Sequence, residues 1–266
     1  MGHSLSLYLH IMRMQMRSRL QYRANLLIGW VAQAFGYASV YGTIWIIAHR
    51  FEKLGGWTWP EIALMLGFHV LGYALGAAFT LVQLRSMEEL VRLGTYDTLL
   101  VRPLSPWAFL VFSGINIEYG GHITLGIGMM AWALPQLEID WSLLTALQLA
   151  ACLVSAALLT GAMLTIVGAM ALVLTRSRYL FGIYFDFWEL SRYPLSVFAL
   201  PLQVVLMSVV PLGYMAYVPV ASLLGKPVPL LGSAAPFAAI LAGPIMVLIA
   251  IWVWRICQRR YQGAGG

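Results

Sequence analysis

The 266 residues are 61% hydrophobic and only 10% charged, with ten Trp and a mean hydropathy of +0.81, a balance that excludes an ordinary soluble domain and indicates an integral membrane chain. Sixteen Lys and Arg against ten Asp and Glu give a net charge of +6. The basic residues flank apolar runs and form no patch, so they report orientation in a bilayer and not a nucleic-acid partner.

Residues 4–22 come first. Leu5, Leu9, Met12, Met16 and Leu20 fall on one helical face with His10, Arg13 and Arg17 to one side, which predicts an amphipathic helix lying in the membrane interface. Two runs without Asp, Glu, Lys or Arg follow, at about 24–48 and 62–84. Each is long enough to cross the roughly 30 Å hydrocarbon core as a helix.

A polar island at 86–106 separates these runs from the next and holds two of the sixteen basic and three of the ten acidic residues. Ser86 with Glu89 fits a capping box, Glu88 and Arg92 are spaced as an i,i+4 pair, and Gly94 is placed as a helix stop. A second short helix from about Thr95 to Val101 then ends before Pro103. Leu90, Val91, Leu93, Leu99, Leu100 and Val101 are more apolar than a solvated loop requires, and they predict docking onto the membrane or a partner.

The third span is read at 107–134 as one helix carrying Glu118, with His122 one turn on along the same face. An ionisable residue at membrane depth is by default a functional candidate, with a structural tie as the alternative. A fourth span at 142–174 carries Ala157, Gly161, Thr165 and Ala169 at every fourth position. With Gly72 and Gly76 in the second span, these are small residues of the kind that let helices approach closely in lipid. Residues 176–192 read as an interfacial segment rich in aromatic rings, among them Tyr179, Phe181, Tyr184 and Trp188. There Asp186, Glu189 and Arg192 are available as a second cytosolic contact. Spans at 194–212 and 235–256 complete the set, and Pro211, Pro219, Pro227, Pro229 and Pro236 predict short, broken, partly re-entrant helices between them on the outer side.

The fold class that follows is all-α integral membrane, a single domain of six transmembrane helices with both termini cytosolic. This arrangement puts thirteen arginines inside and only Arg50, Lys53 and Lys226 outside. No chemistry accompanies it. The chain has no G-x-x-x-x-G-K-[ST], H-E-x-x-H or G-x-S-x-G, Gly225-Lys226-Pro227 is not a nucleotide loop, and Cys152 and Cys257 form neither a disulfide framework nor a metal set. The expectation is a non-enzyme with no cofactor or metal of its own.

At Gly94-Thr95-Tyr96-Asp97-Thr98-Leu99-Leu100-Val101-Arg102-Pro103-Leu104 the sequence resembles the G-x-x-D-x-L-L-x-R-P-L signature that follows the second span in permease subunits of type-2 ABC exporters, in the branch known as an uncharacterised transport system. Ser191-Arg192-Tyr193-Pro194-Leu195, Val210-Pro211-Leu212-Gly213-Tyr214 and Tyr217-Val218-Pro219 are further matches in the expected order. The resemblance implies a permease that pairs with a second permease, identical or homologous, and with separate ATPase subunits that hold ATP and Mg. It implies a prokaryotic plasma (inner) membrane location and export of a hydrophobic, amphipathic or cationic compound such as a drug or toxin. By the same resemblance the loop contains the ATPase-coupling helix, with Glu88, Glu89, Arg92, Tyr96, Asp97, Leu100 and Arg102 as the coupling residues. The alternative from a different class is a stand-alone proton-coupled transporter or channel that uses Glu118 and His122.

Overall fold

The computed structural model describes residues 7, 10, 12–14, 16–18, 20–21, 23–51 and 53–263. Among these, Leu7, His10, Met12, Arg13, Met14, Met16, Arg17, Ser18 and Leu20 are helical, within the stretch expected to lie in the interface. Gln21 is in a turn, and Leu5, Leu9 and the remaining residues of that stretch lie outside the described residues. The named helices are α1 (Arg23–Arg50), α2 (Trp59–Arg85), α3 (Met87–Arg92), α4 (Asp97–Leu100), α5 (Pro106–Ser113), α6 (Gly120–Ala133), α7 (Leu143–Ala169), α8 (Tyr179–Leu190), α9 (Leu200–Val204), α10 (Tyr217–Leu223) and α11 (Ala235–Arg259). Four of them, α1, α2, α7 and α11, are long and apolar enough to cross a membrane.

Most of the buried core packs around α2. Its sequence is apolar on every side, and such a helix is stable only when surrounded; residues 62–74 are buried without a break. Pro60 at its first turn costs no hydrogen bond, and the Glu61 carboxylate accepts the Thr58 N–H at 2.7 Å. Against one side lies α7, running in the same direction. A Cβ on Gly72 would meet that of Ala156 at 2.8 Å, and one on Gly76 would run into the Ala157 carbonyl and Thr160. The small residues seen in both segments therefore serve contact within this chain. On the far side of α7 lies α11, where the Gly243 N–H donates to Ser155 Oγ at 2.9 Å.

The third predicted span is not one helix. Gly114 leaves the helical conformation, a 3-10 turn covers Ile117–Tyr119, and α6 resumes at Gly120. The break is held by α2: Gln83 Nε2 donates to Gly114 O at 2.6 Å, and the Asn116 N–H donates to Ala78 O at 2.8 Å. Backbone groups freed inside a membrane persist only with partners of this kind. Together α5, the turn and α6 run back along α2, from Gln83 through Tyr73, whose hydroxyl is 3.4 Å from that of Tyr119, to Trp59 against Trp132.

Residues 176–192 are also placed differently from the expectation. The N–H groups of Ser177 and Arg178 meet Glu88 just past one end of α2, whereas Ser196 Oγ donates to Gly55 O, just before its other end, at 2.7 Å. The chain between them, α8 included, thus travels the length of α2. The stretch predicted as the fifth span at 194–212 is instead broken into a 3-10 turn at Leu195–Val197, α9, a π turn at Val205–Val209 and a further 3-10 turn at Leu212–Met215. Pro194 and Pro211 each withhold a backbone donor, and Pro201, in the first turn of α9, suits the start of a helix, so no long helix spans the stretch. This excursion returns to its starting point, where Lys226 Nζ reaches Gly56 O at 3.0 Å.

The close approach of α2 and α7 gives a direct contrast. Gly76→Val is expected to destabilise the chain by about 1–3 kcal/mol through overpacking against backbone. At Gly161 a Cβ meets only Thr80 Cγ2, at 3.6 Å, and Gly161→Ala should be neutral or stabilising by up to about 1 kcal/mol. Thermal unfolding of the two variants in detergent measures the difference.

Candidate functional site

The polar island forms a two-step elbow at the Arg85 end of α2. Ser86 keeps helical dihedrals and its hydroxyl donates to Gln83 O at 2.8 Å. The chain therefore never reaches the extended geometry of an N-cap, and the expected box with Glu89 does not form. Gly94 does stop α3: its φ of +69° is one that a side-chain-bearing residue resists. The turn is closed by the Tyr96 N–H on Leu90 O at 3.0 Å and by Thr95 Oγ1 on the same carbonyl at 3.1 Å.

Burial sorts the elbow into an anchor and a tip. Met87, Tyr96 and Leu99 are buried, so Tyr96 acts from inside the elbow and presents no surface to a partner. Leu93, Leu100 and Val101 are exposed, Val101 to 85%. Around this apolar tip stand Glu89 and Arg92, a loose pair at 3.9 Å, and Arg102, whose guanidinium lies 4.5 Å from the centre of the Phe109 ring.

The other two acids tie the elbow to distant segments. In place of the Arg92 partner expected for it, the Glu88 carboxylate accepts the backbone N–H groups of Ser177 and Arg178, both at 2.6 Å. Those donors open α8, so one carboxylate fixes the elbow to the start of the segment that runs along α2. Asp97 accepts the Tyr261 hydroxyl at 2.8 Å, and the Tyr261 ring packs edge-on against Tyr96 with centroids 5.0 Å apart. Burial, together with the adjacent Asp97 carboxylate, pushes the Tyr261 phenol up from 10 to about 12, so at neutral pH it remains a donor. Residues just beyond α11 thus close over the elbow. No sequence motif singled out Ser177 or Tyr261; the only signal was an aromatic residue in an otherwise polar tail.

The remaining candidates lie elsewhere. Glu118 sits in the break of the third segment, where Asn116 Nδ2 donates to it at 3.3 Å and Asn116 Oδ1 accepts its N–H at 3.0 Å. His122 stands among the rings of Tyr37, Tyr73 and Tyr119, at 5.1, 5.9 and 5.1 Å. Asp186, Glu189 and Arg192 are not part of the elbow. Arg192 is buried, 2.6 Å from Glu189 and over the Trp188 ring at 5.3 Å. The neighbouring Ser191 hydroxyl lies 3.0 Å from His69 Nε2. His69 is sixteen residues before the end of α2, which is about 24 Å along the axis. Asp186 and Glu189 are exposed on α8.

At the opposite end of α2 a compact latch forms. Lys226 lies 2.9 Å from Glu61 Oε2 and 4.8 Å from the centre of the Trp57 ring, in addition to its bond to Gly56 O. The Gly55-Gly56 corner takes φ of +57° and +85°, which only glycines adopt freely. The lysine of Gly225-Lys226-Pro227 is therefore a structural cation.

With this arrangement in place, comparison with known proteins gives one decisive match. The family model described as ABC-2 family transporter protein covers residues 37–265. The chain belongs to the ABC-2 transporter family. No curated protein and no solved structure matches it. As an ABC-2 permease it is a multi-pass membrane transport component, a class that generally leaves catalysis to ABC ATPase partners. Among its described residues no group of His, Cys, Asp and Glu could hold a metal ion.

Glu88→Gln removes the charge from the acceptor of two backbone donors and is expected to cost about 1–2 kcal/mol of local stability. Limited trypsin digestion checks it: cleavage after Arg176 and Arg178 should accelerate, while cleavage after Arg255 should not change.

Proposed function

We propose that this ABC-2 permease is the membrane subunit of an ATP-driven exporter, and that its elbow receives force from a separate ATPase subunit which holds ATP and Mg. The reading rests chiefly on one observation. The exposed Leu93, Leu100 and Val101 stand on a base held by buried Tyr96 and by the bonds of Glu88 and Asp97 to distant segments. Exposed apolar side chains ringed by Arg and Glu mark a protein contact, and a base held in this way lets that contact push a helix and not merely bend a loop.

In this reading both termini lie in the cytosol on the elbow side of a prokaryotic inner membrane. The chain crosses six times: by α1, α2, the broken α5–α6 segment, α7, α8 and α11. Two permeases, identical or homologous, pair with two ATPases. The cargo path follows α1, α2 and α8, where Asp186 and Glu189 are exposed about halfway along. Carboxylates at that depth require a water-lined cavity or a protein partner, because lipid would exclude them. Such a path suits a hydrophobic, amphipathic or cationic compound. Family membership favours this reading over a stand-alone transporter that moves protons through Glu118 and His122.

ATPase closure does work on the permease only if the ATPase binds the elbow differently in its two states. Paired substitutions Leu100→Asp and Val101→Asp should lower co-purification of the co-expressed ATPase by about tenfold, which corresponds to ~1.4 kcal/mol, with the chain's melting temperature retained. Unchanged co-purification would remove the elbow from the coupling path.

A further inference from the structure

Away from α8, a cleft of about 630 Å³ opens sideways between α2, α5, α7 and α11. Its floor includes Gly76, Ala157 and Gly161, the same small residues that bring α2 and α7 together. Its mouth is apolar and exposed, for example at Val154 and Ile251. The hydroxyls within it already have partners: Thr80 Oγ1 donates to Gly76 O at 2.9 Å, and Thr165 Oγ1 donates to Gly161 O at 2.8 Å while accepting the Trp107 indole N–H at 3.1 Å. No buried polar side-chain atom of the lining lacks a partner, so the interior suits an acyl chain better than water.

Only the elbow end of the cleft is polar, where Arg255 and Gln258 line it. Among the described residues Arg255 has no ion-pair partner. On α11 the lining extends from Val247 to Gln258, about 16 Å along the axis, a length that suits one extended hydrocarbon chain. The chemistry is thus a cationic head site joined to an apolar, chain-shaped slot that opens toward lipid.

We propose that this cleft binds one anionic phospholipid from the leaflet on the elbow side. One acyl chain fills the slot, and the phosphate accepts from the Arg255 guanidinium and the Gln258 amide. The lipid braces α2, α7 and α11 beside Trp107, which stands in the first turn of α5 directly after the elbow. A cationic cargo is disfavoured here by Arg255, which separates this site from the acidic face of α8. The inference does not rest on the exporter reading.

The test uses the full chain purified in mild detergent and incubated with equal amounts of phosphatidylglycerol and phosphatidylcholine, with retained lipids counted by native mass spectrometry. The wild type is expected to keep one phosphatidylglycerol in preference to phosphatidylcholine by about fivefold, the factor that one basic residue contributes near an anionic surface. Arg255→Gln should bring that ratio close to one. Gly161→Leu, which sends a side chain into the slot, should abolish retention of both lipids with the fold intact by thermal melting. The proposal is overturned if the wild type retains no lipid, if Arg255→Gln leaves the preference unchanged, or if the retained molecule has no acyl chain. Should Gly161→Leu fail to fold, the Arg255→Gln ratio still decides.

Discussion

The backbones of α2 and α7 approach so closely that no Cβ fits at Gly72 or Gly76, and the rest of the structure depends on that contact. In lipid, apolar helices gain nothing by leaving the solvent, so their association relies on close van der Waals packing. The α2–α7 seam supplies it, and α11 extends it through Gly243 on Ser155. On its other sides α2 is covered by α6 and by the large rings of α8, with Tyr73 and His69 each 4.7 Å from Trp188 by ring centroid. A helix surrounded in this way is a strut between the two ends of the fold.

Both ends of the strut are tied. At one, Glu88 gathers the start of α8 and Asp97 gathers Tyr261; at the other, Glu61 and Lys226 hold the excursion that leaves α8 and returns before α11. In the exporter reading, force applied at the elbow therefore reaches α8 by two routes, through Glu88 directly and through α2 to the latch. By contrast, α1 is covered along little of its length and exposes Leu27, Ile28, Val31 and Phe35. In the exporter reading that apolar face is available to a second permease.

Much of this was legible in the sequence, and what was not has physical causes. The long runs at 24–48, 62–84 and 142–174 became α1, α2 and α7 because uninterrupted apolar stretches leave the backbone no better choice than a helix. Gly94 and the density of prolines after Pro211 marked real breaks for local steric reasons. The third span misled because its break depends on Gln83 and Ala78, partners some thirty residues or more away in the sequence. The fifth misled for the opposite reason. Asp186, Glu189 and Arg192 made 176–192 look like a surface segment, and only the three-dimensional pairing of Arg192 with Glu189 and Trp188 lets it lie against the middle of α2. The elbow was located from its charge, glycine and proline, yet its anchors, Ser177 and Tyr261, come from distant parts of the chain and carry no motif.

In the exporter reading the segment from Ser177 to Ser196, which runs the length of α2, is a membrane crossing. Arg178→Cys and Ser196→Cys, each made in a chain whose buried Cys152 and Cys257 have been replaced, can be labelled in intact cells and in inverted vesicles with a membrane-impermeant maleimide. The account predicts opposite sidedness: the cysteine at 196 labels from outside and the one at 178 only in inverted vesicles. Labelling of both positions from the same side would contradict it.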